Sequence, residues 1–143
     1  MKTKGKVRGL FLSIAQQGRE SREKMRVDEN GVFDDKFYGK NLQRAILLTS
    51  LSSYDLAKQN NIDAKYGSLG ENILIDINPY HLKIGDKIQI GTVVFEVTAN
   101  CTICHSLAGV DPKLPKLLKD DRGIFIRALQ SGEIYVGDEV EYL

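Results

Sequence analysis

The stretch Leu82-Lys83-Ile84-Gly85-Asp86-Lys87-Ile88-Gln89-Ile90-Gly91-Thr92-Val93-Val94-Phe95-Glu96-Val97-Thr98 decides the fold. Ile88 and Ile90 alternate with Lys87 and Gln89. Beyond Gly91-Thr92, the same period of two returns at Val93, Phe95 and Val97. Two strand arms therefore meet at a short turn. Gly85-Asp86 opens the first arm, and Gly137-Asp138 stands before another alternating stretch. In such a pair glycine supplies a positive φ and aspartate bonds the turn backbone. Both pairs read as architecture rather than chemistry.

Further strands lie on either side. Val7, Gly9, Phe11 and Ser13 alternate with Arg8, Leu10 and Leu12, which predicts a strand largely buried on both faces. Residues 16–30 are polar and charged and end in Asn30-Gly31, the mark of a loop or hairpin arm. Ala45 to Thr49 is a short buried strand. Ser52 or Ser53 then caps a helix to about Gln59, with Tyr54, Leu56 and Ala57 facing inward. Ile73 to Ile77 and Ile124 to Leu129 are strands, Gln130-Ser131-Gly132 is a turn, and Glu133 to Tyr142 alternates again. Leu114, Leu117 and Leu118 recur at helical spacing after Pro112, so a helix is expected between Cys104 and Arg122. Six or so short strands with few helices predict a mainly β chain with short helices, closed or strongly curved into a β-barrel.

At 143 residues the chain is read as one domain, 1–143. Its 42% hydrophobic and 27% charged residues match globular rather than disordered composition. A net charge of +1 gives no field that would favour nucleic acid or anionic lipid, so neither is an expected partner. No apolar run approaches the roughly 20 residues of a membrane-spanning helix. Met1 to Lys6 is basic, but the following segment contains Arg8 and Ser13 and no small-residue cleavage site. A cytoplasmic protein is expected.

The chemistry-bearing motif is Cys101-Thr102-Ile103-Cys104-His105. As C-x-x-C-H it matches the attachment signature of c-type haem. The absence of an export signal, and of a methionine placed to serve as axial ligand, argues against that. A zinc site could use Cys101, Cys104 and His105 with His81 as fourth ligand, but one C-x-x-C without a second pair is weak. A thiolate site is the third reading: a cysteine just past a strand and close to His105 can act as nucleophile, sulfur carrier or soft metal ligand. Two buried, inert cysteines are the plain alternative.

Four segments, taken in order, resemble the MOSC domain, named for the C-terminal part of the pyridoxal-phosphate-linked molybdenum-cofactor sulfurases. They are Gly70-Glu71-Asn72-Ile73, the Leu82 to Gly91 hairpin, Phe95-Glu96-Val97-Thr98 followed by Cys104, and Arg122-Gly123-Ile124-Phe125-Ile126-Arg127 with Gly132 to Val140. The resemblance runs from Gly5 to Tyr142 and is to the small single-domain type. It implies a MOSC barrel of the pyruvate-kinase barrel-like type. It also implies a functional thiol at Cys104, followed a few residues later by Val110-Asp111-Pro112 as in the amidoxime-reducing members.

For that thiol the family implies two roles. Cys104 ligates molybdenum of a molybdenum–pterin cofactor, in a protein that reduces N-hydroxylated compounds with an external redox partner. Alternatively, Cys104 carries sulfane sulfur as a persulfide received from a cysteine desulfurase, for metal–sulfur cluster or cofactor assembly, with Cys101 able to resolve it. Thr102 matches a hydroxyl position beside the metal, Asn72 a cofactor-contacting asparagine, and Glu71 a residue that orients its loop. The cofactor's phosphate needs a cationic or backbone-amide cradle. Arg44, Arg122 and Arg127 are the candidates, with Arg44 placed as the family's arginine is, just before the buried run Ala45 to Leu48. Small members carry Gly-Asp-x-His after the first loop. Here Asp34-Asp35-Lys36-Phe37 keeps the acid at Asp35 and replaces the imidazole with Phe37, which removes a general base from that spot.

Overall fold

In the computed structural model, residues 4–14, 16, 18–100, 111–119 and 122–143 are described. The chain runs through β1 (Lys4–Ile14), β2 (Gly18–Arg22), β3 (Lys24–Asp28), β4 (Gly31–Val32) and β5 (Ile46–Ser50) into helix α1 (Leu51–Gln59). After it come β6 (Ile73–Ile75), β7 (Lys87–Ile90), β8 (Val93–Asn100), the one-turn helix α2 (Leu114–Leu117), β9 (Ile124–Ala128), β10 (Gly132–Tyr135) and β11 (Glu139–Tyr142).

The hairpin read from the sequence is β7–β8, antiparallel, with Ile88 opposite Phe95 and Ile90 opposite Val93. From it the sheet runs β11-β7-β8-β9-β5-β6-β1, and β1 pairs back onto β11 through Lys4, Gly5 and Lys6. A closed seven-stranded barrel results. Closure removes sheet edges, so nearly every barrel strand finds a backbone partner on both sides. Among the described residues only the β5–β6 pair is parallel, and α1 is part of its crossover. β2 extends the sheet from the far half of β1, while β10-β3-β4 forms a separate three-stranded sheet.

Alternation decides what fills the barrel. Ile88, Ile90, Val93 and Phe95 are fully buried in one aliphatic core with Leu10, Ile46, Leu48, Ile73, Ile75 and Ile126. A second, smaller core lies outside the barrel wall, where Tyr54, Ala57, Ile62, Leu69, Leu114 and Leu118 pack on Leu74. Leu74 points outward between the inward Ile73 and Ile75, as the pleat requires. Gly85 and Gly137 take φ of +98° and +94°. Their aspartates cap the turns as expected: Asp86 Oδ2 accepts from Lys83 N at 2.8 Å and Asp138 Oδ2 from Tyr135 N at 2.9 Å.

Three expectations change in detail. The cap of α1 is Ser50, whose hydroxyl accepts from Ser52 N at 3.1 Å, so the helix starts earlier than Ser52 or Ser53 would allow. The helix after Pro112 is a single turn, with Leu114 and Leu118 buried and Pro115 in its first turn. The alternating stretch Glu133 to Tyr142 is two strands in different sheets. Val136 N bonds Glu23 O and Gly137 N bonds Val7 O, which turns the chain from β10 on the outer sheet into β11 of the barrel. Among the described residues no helix is long and apolar enough to cross a membrane.

Candidate functional site

At one barrel mouth, side chains do the work that strand ladders do elsewhere. Asn72, 5% exposed, stands at the start of β6. Its backbone pairs with Leu47 O and Phe11 N, at 2.9 and 2.8 Å. Its side chain accepts from Leu47 N at 3.0 Å and donates to Phe11 O and to Asp35 Oδ1, both at 3.2 Å. Asp35, equally buried, also accepts from Ser13 N at 2.7 Å and Phe37 N at 3.0 Å. One amide and one carboxylate thus clamp β1, β5, β6 and the 34–37 loop where the sheet runs out of partners. Buried polar groups require such partners.

Beside this clamp opens a cavity of about 630 Å³. Among the described residues its walls carry four cations, Arg19, Lys36, Arg44 and Arg122, with Asn72 and Phe125, and no carboxylate. Arg122 is buried and donates from Nε and Nη2 to Leu69 O at 3.1 and 2.8 Å. Arg19 donates from Nη1 to Ser13 Oγ at 2.7 Å and from Nη2 to Glu71 O. Burial lowers the Arg19 pKa from its ordinary value, opposed by Glu71 and Asp35. Arg44 stacks over the Phe125 ring at 5.5 Å and Lys36 over Phe37 at 5.0 Å. Such a concave, anion-seeking surface suits a phosphate or another multiply charged group.

A family model of the MOSC domain matches residues 34–141. The chain belongs to the MOSC domain family. Solved structures share its fold. The YuaD protein of Bacillus subtilis is 19% identical, with a TM-score of 0.87 over 99% of this chain and 97% of that one. YiiM of Geobacillus stearothermophilus is 19% identical at a TM-score of 0.69, over 97% of this chain and 73% of its own. YiiM of Escherichia coli is 15% identical at 0.72, over 99% and 70%. No curated protein matches the sequence.

In this MOSC barrel Asn72, Arg44 and Arg122 line one cavity. Asn72 has both amide hydrogens engaged by the fold, so it offers a ligand only its oxygen. Arg127 lies elsewhere, donating from Nε to Glu29 O at 2.9 Å. Cys101, Thr102, Cys104 and His105 fall outside the described residues, as does Val110. His81 packs its ring on Tyr142, centroids 5.6 Å apart. Arg19 and Lys36 were not anticipated. The available signal for Arg19 was its hairpin register, which sets it opposite Ser13.

Glu71 sits behind the cavity wall, fully buried. Its Oε2 accepts from Tyr54 OH at 2.5 Å and from Gly67 N at 3.2 Å, while Oε1 has no partner among the described residues. Tyr54 OH in turn accepts from Gly67 N at 2.9 Å. Desolvation raises the pKa of Glu71, against the lowering effect of the Tyr54 hydrogen bond. Burial also raises that of Tyr54. Both groups of the pair hold the 65–70 loop through Gly67 N.

Proposed function

We propose that this MOSC protein binds a molybdenum–pterin cofactor in the four-cation cavity, with Cys104 as thiolate ligand, and reduces N-hydroxylated compounds using an external electron donor. The observation that carries this reading is the cavity itself: Arg19, Lys36, Arg44 and Arg122 face a common space with no carboxylate among its described lining residues. That donor set fits an anionic group bearing a phosphate. Strand β8 ends at Asn100, opposite Ile124 and next to Phe125 of the cavity wall. The four residues from there to Cys104 span at most about 14 Å.

Lys36 and Arg44 would hold the phosphate from the rim, and Arg122 from the floor, where Leu69 O keeps its guanidinium in place. A thiol brought among these cations is favoured in its thiolate form, as metal ligation requires. When bound, the cofactor supplies two-electron chemistry at the metal. Overall, an N–OH substrate takes up two electrons from the external donor and two protons from solvent, its N–O bond breaks, and the amine and water leave. Phe37 in place of an imidazole means that no general base acts from that loop position.

The test is metal analysis of chain purified from a host that makes the cofactor. Stoichiometric molybdenum in the wild type and its loss in Cys104→Ser are expected. Molybdenum-free wild-type protein that also fails to reduce an N-hydroxylamine would overturn the reading. A sulfur adduct on Cys104 after incubation with a cysteine desulfurase and cysteine, seen by mass spectrometry in such protein, would establish the sulfur-carrier role instead.

A further inference from the structure

A second cavity, of about 620 Å³, adjoins the 65–70 loop. It is lined by Phe11, Arg19, Glu20, Ser21 and residues 65–68. Arg19 and Ser68 belong to both cavities, so the two share a wall. We infer that this second cavity is a subsite for a flat aromatic ring carrying an oxygen acceptor or a carboxylate, held by Phe11 and Tyr66 with its oxygen on Arg19. The inference deepens the proposed function, since it sets the ring of a substrate beside the cofactor cavity.

The two rings are placed by the fold. Tyr66 is 55% exposed, yet its ring rests edge-on against Tyr54, centroids 4.9 Å apart at 68°. Tyr54 is itself fixed by Glu71 and by Gly67 N. Phe11 lies against Gly67: a Cβ at Gly67 would stand 2.7 Å from Phe11 Cδ1, and the φ of +90° there favours glycine. Both aromatic rings thus meet the loop at Gly67 and its neighbour, and Gly67 N ties that loop to Tyr54 OH and Glu71 Oε2. An exposed aromatic ring with a supported edge is a stacking surface for another ring.

The polar groups select the substituent. A guanidinium carries five N–H donors, and Arg19 spends two on Ser13 Oγ and Glu71 O among the described residues. The remainder can meet a ligand oxygen. Lys65 adds a second cation to the lining, while its one carboxylate among the described residues, Glu20, is paired with Arg22 at 2.8 Å. Ser68 lines both cavities, and its Oγ is buried without a partner among the described residues.

The experiment titrates the full chain, isotope-labelled and purified without cofactor, with benzoate and with cyclohexanecarboxylate, which has equal charge but a saturated ring. Amide shifts at Phe11, Tyr66, Gly67 and Ser68 are expected with benzoate. Binding of the saturated acid should be weaker by about twofold to tenfold, the worth of one aromatic contact. Tyr66→Ala, a change at an exposed ring, should weaken benzoate by a similar factor and Tyr66→Phe should not. Equal binding of the two acids, or shifts confined to the neighbours of Arg44 and Arg122, would sink the assignment. Because the protein carries no metal here, the outcome is independent of molybdenum loading. Failure of the cofactor reading would show in the metal content of the wild type, and failure of the subsite in these titrations.

Discussion

The interior of the barrel and its mouth are held together by different physics. Inside, Ile88, Ile90, Val93, Phe95, Ile46 and Ile126 are fully buried, and backbone ladders satisfy the polar groups of their strands. At the mouth the buried residues include Ser13, Asp35, Glu71, Asn72 and Arg122, and the side chains of Asp35, Glu71, Asn72 and Arg122 satisfy backbone groups instead. Hydrophobic burial is non-directional and tolerates exchange among aliphatics, whereas a buried amide or carboxylate has one arrangement of partners. The interior sets the stability of the barrel. The mouth sets which chemistry it can offer, and it leaves four cations facing a cavity as a consequence.

Substitutions in the two regions should separate these roles. Phe95→Ala, in the fully buried barrel centre, should cost about 3–5 kcal/mol in denaturant unfolding, the range for truncating a buried aromatic ring. Asn72→Ala should cost less, about 2–4 kcal/mol, because it leaves Leu47 N and Phe11 O without side-chain partners. A cost under 0.5 kcal/mol for Asn72→Ala would erase the distinction drawn here, since the mouth would then need no specific clamp.

Glu71→Gln sharpens the comparison through pH. Burial raises the folded-state pKa of Glu71 above its ordinary 4.5, so the folded chain binds this proton more tightly than the unfolded chain does. The group therefore stabilises fully below the unfolded value, and that contribution is lost as pH rises from there through the raised folded value. The Gln variant lacks this dependence. Its stability should lie within about 1 kcal/mol of the wild type near the acid end and should gain on the wild type as pH climbs through that window. Parallel stability curves for the two proteins would show that Glu71 does not titrate with folding.

Arg44→Ala should have the smallest effect on folding, below about 0.5 kcal/mol, because the side chain is exposed. Under the proposed function it should nevertheless weaken binding of inorganic phosphate, measured by calorimetry, by about fivefold, the worth of one exposed charge contact near 1 kcal/mol. Unchanged phosphate affinity would remove Arg44 from the cradle.

Much of the barrel was legible as pattern. The hairpin from Ile88 to Val97 and the buried runs at Ala45 and Ile124 follow from period-two alternation, and the Gly-Asp turns from local backbone chemistry. The family resemblance of four spaced segments pointed to the MOSC fold that the family match confirms. Local pattern failed where tertiary contacts competed. Glu133 to Tyr142 alternates without interruption in sequence, yet backbone bonds to Glu23 and Val7 divide it between two sheets. Arg19 reads as one more charge in a polar arm until the hairpin carries it over the mouth, against Ser13 and the Glu71 carbonyl.

By itself the sequence determined that this chain closes a small sheet around an aliphatic core. Strand periodicity and turn residues are local properties, and burying one face of each strand leaves few other solutions. Only the tertiary structure decided that Arg19, Lys36, Arg44 and Arg122 share one cavity, and that Asn72 spends its amide on the fold. Those five residues are scattered along the chain, and their convergence depends on strand order and register, which no single segment encodes.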